Sequence, residues 1–224
     1  MPDKITSNSS NDGAPPQKQK IYRLLKKRIG INFFSQATQD VFVIKMLSAK
    51  REGFYVEVGA GHPTASNNTY LLETAYDWKG LSLEMDSSLV DLYNTQRSNR
   101  AIAADATSFE FGGQLHYMNA PKQIDYLQLD IDPAQNTYKA LLKIPHNNYR
   151  FSVITYEHDR YQSGDKYRNL SRQLLSSLGY QLVCSDCRSF GNEFEDWWID
   201  PTIVPIETWK PFERQSIEFF LLWD

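Results

Sequence analysis

Past residue 35, short apolar runs alternate with stretches of helical periodicity, and this alternation leaves very few folds open. Apolar runs at 54–58, 80–84, 100–104, 124–131, 151–156, 180–185 and 216–222 read as strands. Segments 39–47, 66–76, 88–95, 136–142 and 166–178 carry apolar residues at helical spacing. Strands separated by helices of about ten residues need crossover connections, which build a parallel sheet covered on both faces. The expected fold class is α/β: a Rossmann-like sandwich with a mostly parallel seven-stranded sheet and helices on both faces. Segment 112–119 reads as an extra hairpin. Segment 186–215, rich in aromatics, reads as an insertion before the final strand.

In an open sheet of this kind, ligands bind at the carboxyl ends of the strands. The first such end is Phe54-Tyr55-Val56-Glu57-Val58-Gly59-Ala60-Gly61, an apolar run with one acid that closes in Gly-x-Gly. Such a turn lets a nucleotide-like ligand approach the backbone. The next strand, Gly80-Leu81-Ser82-Leu83-Glu84, ends in a second acid. An acid roughly 20–30 residues past the glycines is placed to accept hydrogen bonds from ribose hydroxyls. Together these features predict an adenosine-bearing cofactor over the first two strands. They also fit a nucleotide-cofactor oxidoreductase, although the third glycine of the dinucleotide fingerprint is missing.

The chain has 224 residues, enough for one sizeable core. Residues 1–19 are polar and predict a disordered tail. Residues 20–34 read as a basic amphipathic lead-in, and 35–224 as a single domain. The net charge of −3 makes no case for a nucleic-acid partner. The basic lead-in admits electrostatic docking on an anionic partner or membrane surface. No apolar run approaches the ~20 residues of a membrane helix. The N-terminus lacks a basic-then-apolar leader, and the chain has two cysteines, so a cytoplasmic setting is expected.

Several motifs in order resemble the FkbM-like family of class I S-adenosylmethionine-dependent methyltransferases. They are Ser35-Gln36 with Gln39-Asp40, then Val56-Glu57-Val58-Gly59-Ala60, then Ser66-Asn67-Asn68-Thr69-Tyr70-Leu71-Leu72-Glu73. Trp78-Lys79-Gly80-Leu81, Glu84 and Asp125-Tyr126-Leu127-Gln128-Leu129-Asp130-Ile131-Asp132 follow, and Glu195-Asp196-Trp197-Trp198-Ile199-Asp200-Pro201 closes the series. Pro63 departs from the family, which usually keeps a glycine there, and Gly61-His62 replace a frequent Asn-Asp. The resemblance implies the cofactor S-adenosylmethionine. It places the methionine moiety near Gly59, Gly61 and Asn68, the ribose on Glu84, and the adenine near Asp105 and Ala106. Glu57 would meet the cofactor's amino group indirectly, or else bond loop amides; Asp105 would accept from the adenine amino group, or else simply close a turn.

A second constellation lies at the neighbouring strand ends. One strand delivers Asp130 and Asp132, and the next delivers Glu157, His158 and Asp159. Acids gathered at one rim repel one another unless something compensates, as a divalent cation does. Mg²⁺ takes hard oxygen ligands, so Asp130, Glu157 and Asp159 are candidate metal ligands. Asp130, Glu157 and His158 are candidate catalytic groups, with His158 a general base because its ordinary pKa lies near neutrality. The alternative is that these acids cap the following helices and His158 is structural. Trp197-Trp198 reads as one core indole and one pocket wall. The Cys184-Ser-Asp-Cys187 pair has no second pair to complete a four-thiolate zinc site, so structural reduced thiols are expected. The expected activity is O-methylation of a sugar or small-molecule hydroxyl, with a non-catalytic binding module as the alternative.

Overall fold

The computed structural model describes residues 15–224. Residues 1–14 of the expected tail lie outside the described residues. The rest of that tail is helical, because the first helix begins at Pro16, where a proline's fixed φ suits the first turn.

In chain order the elements are α1 (Pro16–Ile29), α2 (Gln39–Met46), β1 (Phe54–Val58), α3 (Tyr70–Tyr76), β2 (Lys79–Glu84), α4 (Ser87–Gln96) and β3 (Ala101–Ala103). Then come α5 (Phe111–Tyr117), β4 (Gln123–Leu129), α6 (Ala134–Lys143), β5 (Arg150–Glu157), α7 (Arg160–Ser163) and α8 (Asp165–Ser177). β6 (Gln181–Ser189), β7 (Asn192–Ile199), α9 (Ile206–Trp209) and β8 (Arg214–Gln215) complete the chain before a last helical turn, Phe219–Leu221. The strands form one sheet of order β3-β2-β1-β4-β5-β7-β6-β8. β1 to β5 pair in parallel, while β7 runs antiparallel between β5 and β6. The expected Rossmann-like α/β sandwich is present, with eight strands in place of seven.

The extra pairing has a physical cause. β6 and β7 form a hairpin whose turn residues, Phe190 and Gly191, both have positive φ (52° and 92°). Such a two-residue turn matches the natural twist of its strands. Segment 186–215 therefore contributes the end of β6, all of β7 and β8 to the sheet, and the expected strand at 216–222 is instead a turn that packs the buried Phe219 against Tyr22. Segment 112–119 is helical, with Glu110 accepting from the Gly113 amide at its start. α3 starts later than expected, at Tyr70, because Ser66 bridges to Ser35 instead of joining the helix.

Hydrophobic cores lie on both faces of the sheet. Trp197 packs into one and Trp198 into the other, as adjacent strand residues must. Both indoles are buried, so neither walls a pocket. Cys184 and Cys187 are free thiols buried in the first of these cores. No helix among the described residues is long and apolar enough to cross a membrane.

Candidate active site

A cleft of about 380 Å³ opens at the carboxyl ends of β1, β2 and β4. Of the residues expected at the cofactor, Gly59, Gly61, Glu84, Asp105 and Ala106 all line it, and so does Asp130. Met85, Thr107, Ile131 and Asn136 also line it and were not singled out from sequence. Met85 and Ile131 directly follow strand-end acids, a positional signal the sequence did carry.

The turn after β1 is tied to its neighbours through the backbone. The Gly59 and Ala60 amides both donate to the Leu83 carbonyl at 2.9 Å. Gly59 has φ +83°, and a Cβ built there would stand 1.8 Å from the Asp130 carbonyl oxygen. Only glycine fits this crossing of β1 and β4. Glu84 is held by three amides: Gly61 donates to Oε2 at 2.8 Å, and Met85 and Asp86 donate to Oε1 at 2.8 and 2.9 Å. Its orientation is fixed before any ligand arrives, and Oε2, which accepts a single amide, keeps a further lone pair. Asp105 closes a turn and lines the cleft at once. Its Oδ1 accepts from the Thr107 amide and hydroxyl, which hold its carboxyl below the usual range.

Glu57 does not line the cleft. It is buried beneath the loop, where Asn67 and Thr69 donate to Oε1 and Ser82 and Tyr93 to Oε2. Burial pushes its carboxyl up, opposed by the nearby Arg97 charge and these donors. Arg97, a residue that sequence reasoning missed, completes the network. Its guanidinium bonds the Pro63 carbonyl, Asn67, Thr69 and Glu73. Asn68 is buried too, and its Oδ1 has no hydrogen-bond partner.

The acids at the rim of β4 and β5 form a chain. Glu157 stands beside both Asp130 and Asp159, and burial together with the Asp130 charge pushes it well above the usual carboxyl range. Asp130 is raised by burial, while the bond from Glu157 opposes the rise. Glu157 is thus the member that keeps a proton. These three residues do not bring their oxygens within 4.8 Å of one another; among the described residues the group that does is His158, Asp186 and Asp196. The donor set at Asp130, Glu157 and Asp159 therefore does not fit the expected Mg²⁺ cage. Capping does not explain Asp130 and Asp132 either, since α6 follows Pro133 with no side-chain cap.

His158 departs from its expected role as general base. It is fully buried and faces away from the cleft, with Nε2 3.4 Å from Asp196 and 3.8 Å from Asp186. Arg172 bonds both oxygens of Asp196 at 2.7 Å, and Arg168 bonds Asp186 at 2.9 Å. These guanidiniums already neutralise the two carboxylates, so this cluster is an ion-pair lattice rather than a cation site.

No family model matches the chain, and no curated protein matches its sequence. Solved structures do match its shape. A candidate rRNA methylase from Clostridium thermocellum superposes with a TM-score of 0.52 at 11% identity, over 75% of this chain and 97% of that one. A candidate O-methyltransferase from Klebsiella pneumoniae gives 0.51 at 15% identity, over 84% and 90%. A methyltransferase from Pyrococcus furiosus gives 0.50 at 12% identity, over 82% and 98%. This chain has the class I methyltransferase fold. In that fold the cleft described above occupies the strand ends where an open sheet takes its ligand. Two of its features fit an adenosyl sulfonium, a backbone crossing without room for a Cβ and the preset Glu84 carboxylate as a hydroxyl acceptor, whereas Asn68, also expected at the cofactor, is not among the residues that line the cleft.

Proposed function

We propose that this chain is an S-adenosylmethionine-dependent methyltransferase of the FkbM-like branch, methylating a hydroxyl on a sugar or small-molecule acceptor. The observation that carries the reading is the convergence of Gly59, Gly61, Glu84, Asp105 and Asp130 on one cleft. Glu84 would hold the ribose hydroxyls and Asp105 the adenine amino group. Met85, 76% exposed, and Ile131 supply apolar surface for the purine. When bound, the cofactor supplies an electrophilic methyl group on a sulfonium.

Asp130 is the group placed to take the acceptor's proton. Its raised pKa brings it closer to the working pH, as a general base requires. Glu157, protonated beside it, orients the carboxylate and limits the charge at the rim. Among the described residues the cleft is lined by Glu84, Asp105, Asp130 and Asp132 and by no Lys, Arg or His, so an anionic acceptor is disfavoured.

Calorimetric titration with S-adenosylhomocysteine, with NAD as a control, tests the cofactor. Micromolar binding of S-adenosylhomocysteine supports the reading; binding of NAD alone would favour an oxidoreductase. Asp130→Asn should lower turnover by ~100-fold or more while leaving S-adenosylhomocysteine affinity within about threefold. Retained turnover would remove Asp130 from the chemistry.

A further inference from the structure

α1 carries Lys18, Lys20, Arg23, Lys26, Lys27 and Arg28 and no acidic residue, in a chain whose net charge is −3. The structure separates these cations into two sets. Lys18 stacks over Phe190 at 4.3 Å, Lys26 lies over Phe33 and Phe34 at 5.3 and 5.5 Å, and Arg28 pairs with Asp224. Lys18 and Lys26 belong to the packed side of the helix, with Tyr22 and Leu25 in the core, while Arg28 is exposed but paired. Lys20, Arg23 and Lys27 are exposed and have no partner among the described residues.

Positions 20, 23, 24 and 27 share one helix face, because residues three and four apart stack along it. The outward face of α1 is therefore Lys20, Arg23, Leu24 and Lys27. Leu24 is 54% exposed in the middle of these cations. A second exposed leucine, Leu221 at 47%, sits on the turn that runs beside α1 through the Tyr22–Phe219 and Arg28–Asp224 contacts. Where α1 ends, Arg28, Lys45 and Arg214 line a groove with Phe212 and Trp223.

We infer that α1 and the turn at Phe219–Leu221 dock this protein on an anionic lipid bilayer. The cations supply attraction to acidic headgroups, and Leu24 and Leu221 enter the boundary of the acyl region. Charge complementarity alone would also suit a polynucleotide. The two exposed leucines decide for a bilayer, since a phosphate backbone offers them nothing to enter.

The test is co-sedimentation of the full chain with vesicles of phosphatidylcholine alone and of phosphatidylcholine with phosphatidylserine. Binding should be at least ~10-fold stronger to the anionic vesicles and weaken as salt rises. The triple reversal Lys20→Glu, Arg23→Glu, Lys27→Glu should cut it ~100-fold, roughly fivefold per cation. Its thermal midpoint should stay near the wild-type value, because these side chains make no hydrogen bond or ion pair among the described residues. Leu24→Ser with Leu221→Ser should weaken binding several-fold without changing its salt dependence. No binding to the acidic vesicles, or full binding by the triple variant, would overturn the inference. Full binding by the leucine variant, or capture of oligouridylate without capture of vesicles, would assign the face to a polyanion and overturn it as well.

Discussion

Two glycines two residues apart should respond very differently to the same substitution. At Gly59 a Cβ would lie 1.8 Å from the Asp130 carbonyl oxygen, 2.8 Å from the Ile131 Cγ2 and 2.9 Å from the Asp130 carbonyl carbon. The clash is with backbone, so no side-chain rotation relieves it. The carboxyl ends of β1 and β4 would have to part by more than ~1 Å to restore ordinary contact. The bond from the Asp130 amide to the Val58 carbonyl, 3.0 Å long, holds them together there. Losing it costs ~0.5–1.5 kcal/mol, and a left-handed alanine adds ~1–2 kcal/mol. Gly59→Ala should thus destabilise the fold by ~1.5–3.5 kcal/mol, lowering the thermal midpoint by roughly 3–14 °C. S-adenosylhomocysteine affinity should fall ~100-fold, because the same movement displaces the Asp130 end of the cleft. At Gly61 (φ +55°) a Cβ would meet nothing within 4 Å, so Gly61→Ala should cost only the backbone term of ~1–2 kcal/mol. Scanning calorimetry and ligand titration on both variants decide the matter. Wild-type behaviour of Gly59→Ala, or equal damage from the two, would refute the reasoning.

Glu84→Ala should weaken S-adenosylhomocysteine binding by ~1–3 kcal/mol, since ribose hydroxyls would lose their acceptor and the Gly61, Met85 and Asp86 amides their anchor; undiminished affinity in titration would remove the ribose assignment. Burial raises Glu195 from 4.5 to about 8, against the donors Trp197 and Gln39. The folded state therefore holds a proton that the unfolded state releases near pH 4.5, and stability contributed by this group is complete below that pH and lost as pH rises through 8. The full effect is at most ~5 kcal/mol, at about 1.4 kcal/mol per pH unit. Urea unfolding at pH 5 and pH 8 should show Glu195→Gln losing less stability across the interval than wild type, and equal losses would contradict the assignment.

The parallel half of the sheet was legible because its strands are short apolar runs ending in glycine or acid. Val58-Gly59, Leu83-Glu84 and Leu129-Asp130 mark three strand ends, and all three reach the cleft. The antiparallel half was not legible in the same way. β6 carries register shifts between Leu182 and Arg188, and Asp186 sits at positive φ, so its side chains do not alternate cleanly. The hairpin turn places a phenylalanine where Asn or Asp usually stands, which hides it from any composition rule. β7 fell within the segment read as an aromatic-rich insertion, because Glu195 and Asp196 interrupt its apolar run, yet Asp196 is matched by Arg172 and Glu195 by Gln39. His158 was misread for a related reason. Its position at a strand end was visible, but the Arg172–Asp196 pair that draws it the other way comes from α8 and β7, distant in sequence. Arg97 carried no local signal at all.

The network around Arg97 has a consequence for the tempo of the reaction. Its guanidinium joins the end of α4 to Pro63, Asn67, Thr69 and Glu73, while Glu57 ties the same loop to β2 from below. A loop moored from two sides holds one shape whether the cleft is full or empty, so little freedom is surrendered when a cofactor enters. On the proposed reading, spent cofactor would leave past walls that stay in place, and its release would depend on how strongly Glu84 holds the departing nucleoside.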